Sequence, residues 1–240
     1  MQPDCRDLLE RAGIERVPIG FYDAPDPNPF APTVEPAEGR GRSCIFASFE
    51  QWVQGQTLHI TRERYGCRGA AHWLFDLETR SRQSFVEFLA DEEGLKSSQE
   101  LMGCWLDHHT PYRQQHPHIL IGPLRDGQYE HLKSVTFYVN PDQLSLLMLG
   151  AQYHSRPDDP QPVIAPFGSG CMQLVTLFDD LDVPQAVIGA TDIAMRHHLP
   201  PDILALTVTK PMFEQLCALD ERSFLYKPFW ARLQKARQRP

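Results

Sequence analysis

The chain has 240 residues, 42% hydrophobic and 22% charged, and carries a formal net charge of −8. That apolar content supports a packed core in one large domain. The acidic balance, with Lys and Arg gathered only between Lys227 and Arg239, argues against a general nucleic-acid-binding role. The longest apolar runs, such as Leu144 to Ala151, fall far short of a membrane span, and Met1 to Asp7 lacks the basic start and apolar core of a signal peptide. A cytoplasmic protein with six reduced cysteines is expected.

Asp7 to Ala12 reads as a short helix and Pro18 to Tyr22 as a strand. Ala24 to Arg42 is rich in proline, has little periodicity, and reads as a long surface loop. Ser43 is a good helix N-cap with Cys44 just inside, and Ile45, Phe46, Phe49, Trp52 and Val53 follow at helical spacing. Thr57 to Thr61 alternates as a strand. Tyr65 to Gly69 is a turn that feeds a helix from Ala70 to Leu77. Ser84 to Leu89 and Ser97 to Leu106 read as further short helices.

His118 to Ile121 and Val135 to Val139 are strands. Asn140-Pro141-Asp142 starts an apolar helix from Gln143 to Tyr153. Pro162 to Phe167 leads into Gly168-Ser169-Gly170-Cys171 and a helix expected over Met172 to Phe178. Ala186 to Gly189 and Ile203 to Thr209 are later strands. Lys210 to Leu219 and Phe224 to Gln238 read as the last helices, the second within a C-terminal extension over residues 220–240. Val135–Val139, the helix after it and Val163–Phe167 have the length of a βαβ unit. The fold class expected is α/β or α+β, one compact domain with a mixed sheet flanked by helices.

The cysteines carry the functional signal. Their spacing contains no Cys-x-x-Cys pair, which argues against a zinc ribbon or a thioredoxin-type site. Cys44, Cys67 and Cys171 each sit at a loop-to-helix junction. A lone cysteine is most often core packing, but three at helix starts suit thiolates, because a helix N-terminus lowers a thiol pKa. Iron–sulfur clusters take three or four thiolates from such turns and hydrogen bonds from nearby backbone N–H groups. Zinc would take four Cys or His ligands. Cys104, beside Gly103, is a candidate fourth ligand, and His72 is another; a core position on an amphipathic helix suits Cys104 better. Cys5 and Cys217 read as structural.

Several short motifs occur in order: Ser43-Cys44, Gly55, Leu58-His59-Ile60-Thr61, Gly66-Cys67-Arg68-Gly69-Ala70-Ala71, Gly122-Pro123-Leu124, Asn140-Pro141 and Gly168-Ser169-Gly170-Cys171. In this order and spacing the chain resembles the DUF169 family of bacterial and archaeal proteins, over roughly Val17 to Phe213. The resemblance implies one compact domain and a shared three-cysteine site at Cys44, Cys67 and Cys171. Proline often follows the second of these cysteines in the family, where this chain has Arg68. The resemblance supplies no reaction.

The other candidates are weaker. His108, His109, His116 and His118 crowd a stretch broken by Pro111 and Pro117; His116 and His118 should point the same way, and solvated loop histidines are the default. Gly168-Ser169-Gly170 could cradle a phosphate but lacks a full nucleotide fingerprint, and Ser169 lacks a hydrolase setting. Arg68 could lower the Cys67 pKa or hold an anion. Gly66, Arg68, Gly168, Ser169 and Gly170 are thus the candidate cofactor-binding residues around the three thiols.

The expected function is an iron–sulfur protein, most plausibly [4Fe–4S], serving redox or small-ligand chemistry. Zinc or no cofactor are the alternatives. A metal-free reactive thiol and a non-catalytic ligand-binding domain with core cysteines stay open. So do the redox partner or small-molecule ligand, a homo-oligomer, and whether the protein is an enzyme.

Overall fold

The strand runs converge on one sheet, and the order in which they enter it decides which loops meet. The computed structural model describes residues 2–36 and 44–237. In chain order its elements are α1 (Arg6–Ala12), β1 (Ile19–Ala24), β2 (Thr33–Val34), α2 (Phe49–Val53), β3 (Thr57–Ile60), α3 (Arg68–Phe75), α4 (Arg82–Glu87) and α5 (Gln99–His108). Then come β4 (His118–Pro123), β5 (Leu132–Val139), α6 (Pro141–Ala151), β6 (Val163–Ile164), β7 (Ala186–Gly189), α7 (Ile193–Arg196), β8 (Leu204–Thr209), α8 (Lys210–Cys217) and α9 (Pro228–Arg237).

The sheet has the order β2-β3-β4-β1-β5-β8-β7-β6. Neighbours are antiparallel except at the two edges, where β2 joins β3 and β6 joins β7 in parallel. The result is a mixed-sheet α/β fold, as expected. β6 also runs parallel to β5, as the βαβ reading requires, but β8 and β7 lie between them. The edge of β5 is taken by β8 in a continuous antiparallel ladder from Ser134↔Thr209 to Val139↔Leu204. Pro162 and Pro166 have no N–H to donate, and the bonded part of their segment shrinks to Val163–Ile164.

All six residues of β1 are buried, which marks a central strand covered on both faces. Ile19 and Phe21 point to one core with Ile119, Ile121, Trp52, Trp73 and Cys171. Tyr22 and Ala24 point to the other, built on Leu120, Phe137, Leu147 and Phe213. α2, α3 and α5 cover the first face; α1, α6 and α8 cover the second. α6 begins with a capping box: Asn140 Oδ1 accepts from the Gln143 N–H at 2.9 Å, and Gln143 Oε1 accepts from the Asn140 N–H at 3.0 Å. α9 docks on α1, with Trp230 Nε1 donating to the Arg11 carbonyl at 2.7 Å. Among the described residues no helix is long and apolar enough to cross a membrane.

Two expectations need correction. The proline-rich stretch is not a free surface loop in its described part. Phe30 is fully buried with its ring 4.8 Å from that of Tyr22, and this anchor brings Thr33–Val34 onto the sheet edge. Ser43 lies outside the described residues. The second correction is the helix expected over Met172 to Phe178. Only a 3₁₀ turn forms, from Met172 to Leu174. Gln173, 2% exposed, turns inward: its Oε1 accepts from the Ala190 N–H at 2.5 Å, and its Nε2 donates to Thr191 Oγ1 at 3.4 Å. The Leu174 carbonyl accepts from Ser134 Oγ. These tertiary bonds replace the i to i+4 ladder a helix would need.

Asp23 fixes the approach to β4. It is fully buried and accepts from Tyr112 Oη at 2.8 Å, the Gln115 N–H at 2.6 Å and the His116 N–H at 2.8 Å. Asp23→Ala leaves three partly buried donors without this acceptor. Urea denaturation should show a loss of about 3 kcal/mol or more.

Candidate functional site

Each of the three thiols is positioned by a different local device. Gly66 has φ +78°, a left-handed turn suited to glycine, and it delivers Cys67 to the N-cap of α3. There Cys67 Sγ accepts from the Ala70 N–H at 3.4 Å. Cys44 has extended backbone dihedrals and caps a 3₁₀ turn over Ile45–Ser48 without a side-chain cap hydrogen bond. Cys171 enters the short turn after Gly170, and its sulfur shares a hydrogen bond with Ser169 Oγ at 3.4 Å.

The fold brings these three devices together. A Cβ placed on Gly69 would lie 3.8 Å from Cys67 Sγ and 3.8 Å from Cys171 Sγ, so the two sulfurs flank one small space. Cys44 is close enough for its ionised form to feel both of the others, and all three pack in the same apolar cluster. Gly170 explains how the Cys44 and Cys171 loops approach. A Cβ there would meet the Phe46 ring at 2.8 Å and Met195 at 3.0 Å. Gly168 plays a packing role against Leu177, 3.0 Å from its notional Cβ, and no contact with a sulfur.

Electrostatics at the site follow burial. Cys44 is pushed up to about 12, first by burial and then by Cys67 and Asp192. Cys171, 5% exposed, is held well above the usual thiol range by burial and by Cys67. The helix-dipole argument for Cys171 therefore does not apply, because no α-helix starts there. Left alone in this apolar pocket, these two thiols stay protonated at neutral pH.

Other predicted residues fall elsewhere. Cys104 is exposed on α5, whose buried side chains are Met102 and Leu106; it is neither a core residue nor part of the thiol cluster. His72 lies between the Trp73 and Phe85 rings, and burial lowers its pKa. Arg68 is exposed and lines a separate cavity. The histidines disperse: His118 Nδ1 is 3.0 Å from His59 Nε2, His109 Nδ1 is 2.8 Å from the Trp105 carbonyl, and His116 packs edge-on against His131. Cys5 and Cys217 form their own pair. A hydrogen bond from Cys217 lowers the Cys5 pKa, and Cys217 is raised in turn.

Sequence reasoning misses Asp192. It caps α7, accepting from the Ala194 N–H at 2.9 Å, and it also accepts from the Gly170 N–H at 2.8 Å. Its charge is felt by both Cys44 and Cys171. The signal available is an acidic N-cap before Ile193-Ala194-Met195, which gives no hint of its neighbours. Among the described residues, no three His, Cys, Asp or Glu side chains are placed to hold a metal ion.

A family model described as DUF169, uncharacterised ArCR, matches residues 7–218, most of the chain. The chain belongs to the DUF169 family. No curated protein and no solved structure is a match. The DUF169 match ends between α8 and α9, so the docked C-terminal helix lies beyond it.

Burial of the thiols sets a pH dependence. In the folded protein Cys44 keeps its proton up to about 12, whereas an unfolded thiol releases it near 9. The stabilisation is fully present below pH 9 and is lost as pH rises towards 12, with a slope of up to about 1.4 kcal/mol per pH unit for the thiol. Denaturation of cofactor-free protein across this range should show that slope, and Cys44→Ala should reduce it. Brief iodoacetamide treatment at pH 7, read by mass spectrometry, should label Cys104 before Cys44 or Cys171.

Proposed function

We propose that Cys44, Cys67 and Cys171 hold a [4Fe–4S] cluster that serves redox or small-ligand chemistry. The observation that carries this reading is the convergence of Cys67 and Cys171, whose sulfurs both lie 3.8 Å from a Cβ built on Gly69, with Cys44 packed in the same apolar cluster. Three further features fit. The Ala70 N–H donates to the Cys67 sulfur, the kind of hydrogen bond that tunes a cluster. Phe46 and Met195 supply an apolar wall at the Gly170 loop. Burial disfavours bare thiolates, so ionisation of these cysteines calls for a compensating cation.

When bound, the cluster would supply electron transfer or a Lewis-acidic iron. The chain's own part is to hold three sulfurs, exclude water, and place Asp192 nearby. Three thiolates leave one iron of a four-iron cluster without a cysteine. Cys104 is not placed to complete the set. Asp192 already accepts two backbone N–H bonds, which hold its carboxylate beside the Cys171 loop.

A second reading is favoured by the burial of Cys171 and the raised pKa of Cys44: the three thiols are core packing and bind nothing. The two readings part on reconstitution. Protein purified and loaded without oxygen should take up about four iron and four sulfide per chain and turn brown. Each of Cys44→Ser, Cys67→Ser and Cys171→Ser should lower that content, and Cys104→Ser should not. Iron-free protein that folds normally after loading sinks the cluster.

Gly69→Ala separates the readings further. Gly69 lies in the first turn of α3 without a positive φ, and its Cβ would make only ordinary contacts. In cofactor-free protein the exchange should stabilise by about 0.5–1 kcal/mol, the usual gain of Ala over Gly in a helix. It should nevertheless cut iron and sulfide uptake several-fold. Undiminished loading of Gly69→Ala would remove the space at Gly69 as support.

A further inference from the structure

Beside the thiol pocket lies a second cavity, of ≈ 380 Å³, walled by α3, α4 and α5. Its size falls in the range of about 300–1,000 Å³ common for small-molecule sites. One wall is a single face of α3: Arg68, His72 and Asp76 follow at intervals of four. Leu77, Phe85 and Leu106 supply an apolar wall. Arg80, on the loop between α3 and α4, completes the lining.

Arg80 is the informative residue. Its guanidinium carbon lies 4.5 Å from the Phe88 ring centre and 5.8 Å from that of Phe85. Its Nε is buried and has no hydrogen-bond partner among the described residues. A buried N–H of a charged group left unpaired is costly, by roughly 1–3 kcal/mol or more; the outer Arg80 N–H groups, which have no protein partner among the described residues, are the ones an acceptor in the cavity would meet. Arg82 differs: it is already bound to the Gly103 carbonyl at 2.8 Å and to Asp107 at 2.5 Å. Among the described residues Arg68 has no ion-pair partner.

We propose that this cavity binds a small monocarboxylate, its carboxylate held by Arg80 with Arg68 at the mouth, and its apolar body packed on Leu77, Phe85 and Leu106. Arg68, Arg80 and Arg82 line the cavity against Asp76 and Glu78, an excess of one positive charge, and Arg82 is already paired with Asp107; so small a balance disfavours a doubly charged anion such as phosphate. Glu93 reaches Arg80 only through its charge. The planar guanidinium fork matches a carboxylate in two parallel hydrogen bonds. This site is built from residues other than the three thiols, and it holds whether or not they carry a cluster.

The test uses full-length protein purified without oxygen, titrated with hexanoate, benzoate, benzyl alcohol and inorganic phosphate. Hexanoate and benzoate should saturate below about 10 mM and shift backbone amide resonances of α3 to α5. Benzyl alcohol and phosphate should bind at least about tenfold more weakly. Arg80→Met should keep or raise the Tm of ligand-free protein, since it removes an unpaired buried N–H, yet weaken both carboxylates about tenfold or more. Arg80→Lys should weaken them by less. A purely structural Arg80 would instead show a lowered Tm with unchanged binding. The proposal is overturned by that result, by phosphate or benzyl alcohol binding as tightly as benzoate, or by neither carboxylate saturating below about 10 mM.

Discussion

How near three loops can approach one another depends here on two positions without side chains. Gly170 lets the Phe46 ring lie against the loop that carries Cys171, at a distance any Cβ would violate. Gly69 keeps open the gap between Cys67 and Cys171. The first is a demand of packing: any larger residue at 170 forces the Cys44 segment away. The second is not, because a methyl group at 69 would sit at ordinary van der Waals distance. A glycine that packing does not require, in a helix where alanine is better by about 0.5–1 kcal/mol, is a local cost without a structural return. Such costs tend to accompany a site.

The thiols themselves show the same tension. Cys171 is 5% exposed and Cys44 is half-buried, and both are driven towards the neutral form by desolvation. The Ser169 hydroxyl pulls the other way at Cys171. A pocket meant to expose a reactive thiolate would reverse that balance, with a nearby cation or a full helix N-terminus. Of the three, only Cys67 caps an α-helix, and the carboxylate whose charge bears on the other two is Asp192, which opposes ionisation. At Cys44 and Cys171 the arrangement therefore disfavours a free nucleophile and suits protonated packing residues or thiolates neutralised by bound metal charge.

The order of elements is legible in this sequence wherever a local rule decides it. Asn140-Pro141 starts α6 with a capping box, and Gly66 marks the turn before α3, because caps and left-handed turns are encoded within a few residues. The Met172 turn is not legible. Its apolar spacing suits a helix, but Gln173 finds partners at Ala190 and Thr191, seventeen and eighteen positions away. β6 fails for a related reason, since its place beside β7 depends on which strand takes the edge of β5. At the site, the three cysteines can be named from their junctions alone. Asp192 and Gly69 cannot, because their significance lies in what other segments bring to them. Cys104 shows the converse error: its apolar helix suggests a core position, and the helix presents it to solvent.

The helix α3 connects the two regions. Its N-cap is a sulfur of the thiol cluster, and its next residue, Arg68, opens the face that walls the cavity. Eight residues, Arg68 to Phe75, thus carry one side chain set inward and another set along the cavity, with Trp73 and Leu74 fixing the helix in the core. Glu93 strengthens the link, since it interacts through charge with Arg80 on the cavity side and with Asp192 on the thiol side. A change of charge at either place is therefore felt at the other through groups already in range. A rigid helix anchored in the core transmits displacement as well as field, because Cys67 and Arg68 cannot move independently. Any coupling between a ligand in the proposed cavity and the three sulfurs would run through this one short element, with no need for a motion of the sheet.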